Sequence, residues 1–261
     1  MEANMAATPQ PGDGAAVPLT DPLAEAVRLT DAAHAASVSL RITGGVAVAL
    51  QCPSARSAPL QREYADIDCV GRGRERQAIA ALLVGAGYLA DETFNALHGE
   101  RRLFFWDPVN EKQLDVFLDR AELCHELELA SRLDVDPRTL SLADLLLMKL
   151  QIVETNRKDF LDMLALLADQ PFTEDDSGIN LRYLADLMAH DWGLWRTTTM
   201  VAERVAEFAL AHDGFEQADH VVRQTQAYRE ALDAAPKSRA WKLRARIGDR
   251  KRWYELPEEV D

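Results

Sequence analysis

At 261 residues, with 48% hydrophobic and 28% charged side chains, the chain has the composition of a globular protein of one large domain or two modest ones. Its formal charge of -14 excludes a surface that grips nucleic-acid phosphates all over, so any such partner must meet a local basic patch. Cys52, Cys69 and Cys124 are odd in number and scattered, without a CxxC pair, which argues against disulfides and structural zinc and leaves them a packing role.

Residues 1–20, rich in Ala, Pro and Gly and without periodicity, read as a disordered leader. They lack the basic start and apolar stretch of a signal peptide, and no run is apolar enough to cross a bilayer. The expected location is therefore the cytoplasm, with no membrane partner. Asp21 is placed to cap a helix from Pro22 to about Ala36. Val38–Ile42 alternates like a strand and runs through Thr43-Gly44-Gly45 into a short apolar helix, Val46–Leu50. A polar loop at 53–63 leads to an alternating strand, Asp66–Val70, and then to a helix, Arg76–Val84. Arg102–Trp106 and Gln113–Leu118 read as a hairpin turning on Asp107-Pro108-Val109-Asn110, and His125–Leu129 as a further strand.

After Pro137 the period becomes helical. Ser141 and Asp144 form a capping signature before Leu142–Val153, and further helices fall at 158–169, 180–190, 194–211 and 216–234. The fold class is α+β: a mixed-sheet core over 21–136, a helical region over 137–234 and a basic, aromatic C-terminal segment over 235–261.

Asp66-Ile67-Asp68 projects two carboxylates from one face of a strand. Like charges so close repel unless a cation lies between them, and Mg²⁺ suits hard oxygen donors. The plain alternative is an exposed edge strand. Gly44-Gly45 between strand and helix permits close backbone approach to a phosphate, or is an ordinary turn. Asp115 stands in a strand whose other face is Leu114, Val116 and Leu118. It is either a surface acid or a third metal ligand. Lys149 lies on an apolar helix face, where a charge is rarely placed without a partner. It either reaches a nucleotide's phosphates or pairs with Asp159 or Asp162.

The ordered set Thr43-Gly44-Gly45, Asp66-Ile67-Asp68 and Asp115 resembles the nucleotidyltransferase superfamily. Arg62-Glu63-Tyr64-Ala65-Asp66-Ile67-Asp68, with Lys149 and the later Arg157-Lys158-Asp159-Phe160-Leu161-Asp162, is similar to the AbiEii-like, minimal type. Tyr64 stands where many relatives have Thr, and the 52–62 loop is longer than usual. The resemblance implies a nucleotidyltransferase-like sheet followed by helices, with Mg²⁺ (two ions in the active complex) on Asp66, Asp68 and Asp115. It also implies a nucleoside triphosphate donor such as ATP, held by Thr43, Gly44, Gly45, Lys149, Lys158, Asp159 and Asp162. The acceptor stays open among RNA or tRNA, protein and small molecules such as aminoglycosides. Relatives include toxins of toxin–antitoxin pairs, so a cognate antitoxin is a further possible partner. The other readings are a catalytically silent module of the same fold and a helical partner-binding protein.

The run Lys237–Arg246, continued by Arg250-Lys251-Arg252-Trp253-Tyr254, is basic with interleaved aromatics. It reads as an RNA-contacting tail or, more simply, as a segment docking its aromatics on the protein itself. Trp192 and Trp195 read as core, and the histidines show no metal-ligand spacing.

Overall fold

The computed structural model describes residues 16–256. Asp21 caps the first helix through the Leu23 amide, Pro22 takes the first helical position, and α1 spans Pro22–Ala35. Residues 16–20, expected within a disordered leader, are exposed except at Pro18 and are anchored at two points. Pro18 is buried, and the Leu19 amide donates to Glu25 at 3.0 Å. Glu25 is buried and satisfied, since Arg28 and the Tyr88 hydroxyl also donate to it at 2.6 and 2.8 Å. The rest of the expected leader lies outside the described residues.

The chain continues through β1 (Leu40–Thr43), α2 (Gly44–Gln51), β2 (Asp66–Gly71), α3 (Arg76–Gly85), β3 (Leu89–Ala90), α4 (Glu92–His98), β4 (Arg102–Asp107) and β5 (Lys112–Leu118). The five strands form one mixed sheet ordered β1-β2-β5-β4-β3, in which β2 and β5 run parallel and the other pairs antiparallel. The β4–β5 hairpin closes where its turn residues predict, because the buried Asp107 carboxylate accepts from the amides of Val109 and Asn110 at 2.9 and 3.1 Å. Leu114, Val116 and Leu118 are buried on alternate positions of β5, as a half-covered strand requires. The strand expected at 125–129 is β7 (Glu126–Glu128), which pairs with β6 (Arg120–Glu122) in a separate two-stranded sheet rather than joining the main one.

Residues 138–140 join the sheet to the helical half. The Ile42 amide donates to the Arg138 carbonyl and the Leu140 amide to the Ile42 carbonyl, both at 2.9 Å, so this segment lies parallel to β1. Ser141 then caps α5 (Leu142–Leu150) through the Asp144 amide, as expected. The helix stops short of Val153 because neighbouring loops claim its end. Gln151 accepts the His125 amide at 3.0 Å, and the Val153 amide donates to Cys124 Sγ at 3.5 Å. There follow α6 (Arg157–Asp169), opened by an Asn156/Asp159 capping box, the short parallel pair β8 (Phe172–Thr173) and β9 (Ile179–Asn180), and α7 (Leu181–Met188), α8 (Trp192–Ala211), α9 (Ala218–Ala234) and α10 (Arg239–Ile247). Helices α5 and α6 pack on α2, so the core runs unbroken from the sheet into the helices.

The tail docks through its aromatics. Trp241 meets Trp195 edge-on at 5.2 Å, Trp253 meets Trp192 at 5.8 Å, and Trp253 Nε1 donates to Thr197 at 3.0 Å. The three cysteines are free and buried. Among the described residues no helix is long and apolar enough to cross a membrane.

Candidate active site

Strand alternation sets Asp66 and Asp68 on one face of β2 while Ile67 is buried behind them. Thr43 on β1 is the register partner of Asp68, and Asp68 is the partner of Asp115 on β5. Thr43, Asp68 and Asp115 therefore form a row across three strands, with Asp66 at the open end of β2. Gly44 follows with φ +65°, and a Cβ there would collide with Oδ2 of Asp68. Backbone angle and close approach together demand glycine. Thr43 is the N-cap of α2 but makes no capping bond, and its buried hydroxyl has no partner among the described residues.

Burial, then the charges of Asp66 and Asp115, push the Asp68 carboxyl up to about 7. Asp115 is buried and accepts from Arg102 Nε at 2.7 Å; the same guanidinium lies 5.1 Å from the Phe117 ring. Sequence reasoning missed Arg102, whose signal is a cation opening the hairpin strand that pairs with the strand of Asp115. The donor set suits Mg²⁺, since a divalent cation among these carboxylates would relieve the crowding that raises Asp68. They are neighbours rather than a closed cage: among the described residues no three His, Cys, Asp or Glu side chains already form a group able to hold an ion.

Lys149, on the last turn of α5, makes both of its expected pairings. Nζ lies 2.9 Å from Asp159 Oδ1 and 2.9 Å from Asp162 Oδ2. Burial would lower the ammonium, but Asp162 and Asp159 outweigh it and hold Lys149 above its ordinary value. Asp162 is shared. Arg62 grips it with Nε and Nη2, each at 2.9 Å, while stacking 4.4 Å over Tyr64. The same guanidinium lies against Gly45, where a Cβ would collide with it. Gly45, Arg62, Asp162, Lys149 and Asp159 thus form one network beside the carboxylate row. In the sequence Arg62, four residues before Asp66, carries part of the resemblance but no function of its own. Lys158, exposed on the first turn of α6, stays outside the network.

No protein-family profile matches the chain, and no curated protein matches it. Among solved structures it is similar to the antibiotic-resistance factor ANT(2'')-Ia, whose solution structure is described as revealing substrate-regulated conformation dynamics. The identity is 14% over 72% of this chain and 95% of that one, with a TM-score of 0.37. A likeness that loose carries nothing about chemistry, which rests on the residues above.

Proposed function

We propose that the chain is a Mg²⁺-dependent nucleotidyltransferase that moves a nucleoside monophosphate from a nucleoside triphosphate to a hydroxyl acceptor. The observation that supports it most is the row of Thr43, Asp68 and Asp115 across β1, β2 and β5, flanked by the Gly44-Gly45 turn. In this reading the triphosphate meets the first turn of α2, where unpaired amides and the orphan Thr43 hydroxyl favour an anion. Lys149 and Arg62 would add positive charge beside it. Asp66, Asp68 and Asp115 would hold the metal, which when bound supplies charge stabilisation to the attacking and leaving oxygens. The acceptor oxygen bonds to the α-phosphorus as the bond to pyrophosphate breaks, and Asp115, oriented by Arg102, would take the acceptor proton. The acceptor is RNA, a protein or a small molecule such as an aminoglycoside, and a toxin role with a cognate antitoxin belongs to the same reading.

A second reading, a silent nucleotide-binding module of the same fold, is favoured by the carboxylates that already occupy Lys149 and by Arg102 on Asp115. Incubation with Mg²⁺ and α-labelled nucleoside triphosphates decides between them, with tRNA, the protein itself and an aminoglycoside panel as acceptors. Label transferred by the native chain and not by Asp66→Ala/Asp68→Ala supports transfer. Mg²⁺-dependent nucleotide binding without transfer supports the module, and absence of binding overturns both.

A further inference from the structure

Eight of the chain's 29 Lys and Arg fall within residues 237–252, against one acid, Asp249. The segment is pinned at both ends. The Ser238 amide donates to the Ala189 carbonyl at 2.9 Å, and the Glu255 amide to the Cys124 carbonyl at 3.1 Å. Trp241 and Trp253 face inward onto α8, and Arg244 lies 4.4 Å from the Trp192 ring while donating to the Gly248 and Lys251 carbonyls. Asp249 is taken by Arg196 at 3.0 Å. What remains outward is cationic: Arg239, Lys242, Arg246, Arg250 and Lys251 are all exposed, and none pairs with a described acid.

We propose that this face is an RNA-binding surface, which takes the backbone of a single-stranded segment along α10 and an unpaired base in the adjoining cleft. The cations sit on a docked helix and its pinned continuation, so little ordering accompanies binding. At physiological salt, charges more than about 8 Å away are screened, so the acidic bulk of the protein does not cancel the patch. The cleft, about 540 Å³, is lined by Arg101, Arg120, Arg252, Trp253 and Tyr254 among others. Of its three acids, Glu122 and Glu126 are already paired with Arg101 and Arg120, at 2.9 and 2.8 Å, and Glu255 is exposed. Exposed Arg252 lies 4.9 Å from the ring of half-buried Tyr254, a pair suited to stacking a base and meeting its phosphate. Unpaired bases of this kind belong to RNA loops and ends. A lipid surface fits less well, because α10 exposes only Leu243 and Ile247 as large apolar side chains while Trp241 and Trp253 are turned inward. Two residues of the cleft lining, His125 and Arg101, are linked to elements of the candidate active site. The His125 amide donates to Gln151, two residues beyond Lys149, and Arg101 directly precedes the Arg102 that holds Asp115.

The surface is independent of nucleotidyl transfer, and its test needs no activity. Fluorescence anisotropy of the full chain with a labelled, unstructured RNA of about 20 nucleotides should show saturable binding that weakens roughly 50-fold between 50 and 200 mM salt, as about four single-strand phosphate contacts require. Arg239→Glu/Lys242→Glu/Arg246→Glu should weaken binding about tenfold or more with an unchanged melting curve, and Tyr254→Ala about fivefold or more. Should the triple variant fail to fold, Lys242→Gln/Arg246→Gln serves with a smaller expected loss. Asp66→Ala/Asp68→Ala should bind RNA as the native chain does. No binding at 50 mM salt, full affinity in the folded charge variants, tighter binding to duplex DNA of equal length, or capture by anionic vesicles instead of RNA would each overturn the proposal.

Discussion

Arg62 lies across the α-carbon of Gly45 while gripping Asp162, one hundred residues further along the chain. A Cβ at position 45 and that guanidinium cannot share the space, so Gly45→Ala should drive Arg62 off Asp162. Alanine gains about 1 kcal/mol of helix propensity in α2, whereas stranding one partner of a buried pair costs about 3–5 kcal/mol. Lys149 remains on Asp162 and softens the loss, leaving a net destabilisation of about 1–3 kcal/mol by chemical denaturation. Gly45→Ala/Arg62→Ala should be little worse than Arg62→Ala alone. Simple additivity of the two would show that the positions do not communicate.

Lys149→Met removes the cation from between Asp159 and Asp162. Arg62 still neutralises Asp162, so the expected loss is about 2–4 kcal/mol rather than the full cost of an unpaired buried charge. If Lys149 also meets the donor's phosphates, nucleoside triphosphate affinity should fall more than about tenfold at temperatures where the variant is folded. Lys149→Arg, which keeps the charge, should recover part of it. A variant that melts lower yet binds nucleotide as before would restrict Lys149 to a structural role.

How far the sequence could be read depended on the range of each interaction. Asp21, Ser141 and Asp107 act on amides two or three residues away, and the elements they organise stood close to where they were expected. Asp66 and Asp68 could be set on one face because the period of a strand alone decides it, whereas Asp115, on another strand, joined them only through the resemblance. Arg62 and Arg102 were not assigned, since their meaning lies in Asp162 and Asp115, which the fold brings to them. The same holds for the end of α5, cut short by contacts from residues 124 and 125. Seven-residue α4 and two-residue β3 carry too few periods to stand out, and β7 has the alternation of a strand but nothing in it names its partner.

Asp68→Asn should stabilise the metal-free protein. A carboxyl raised in the folded state costs stability once it ionises, so the penalty is absent at low pH and grows as pH rises through about 7. Removing the charge should return roughly 1–3 kcal/mol at pH 8. Mg²⁺ should raise the melting temperature of the native chain there and leave Asp68→Asn unmoved. Equal Mg²⁺ responses in the two proteins would place the ion elsewhere.

Docking of the tail should depend on pH through His125. Thr197 Oγ1 accepts from Trp253 Nε1 at 3.0 Å and lies 2.8 Å from His125 Nε2, so its own proton is free to go to a neutral imidazole. Burial lowers His125 below its ordinary 6.5, with Asp191 opposing the shift. The unfolded chain then binds the proton at a pH where the folded one does not. The stabilisation is complete above about 6.5 and is lost as pH falls from there through the lowered folded value. Protonated His125 cannot accept from Thr197, so the Trp253 contact should loosen over the same interval. Tryptophan fluorescence and denaturation midpoints, followed from pH 7.5 to pH 5, should both report this fall, and His125→Gln should flatten it. If His125→Gln keeps the native pH profile, the sensitivity arises from another group and the His125–Thr197–Trp253 relay has no part in it.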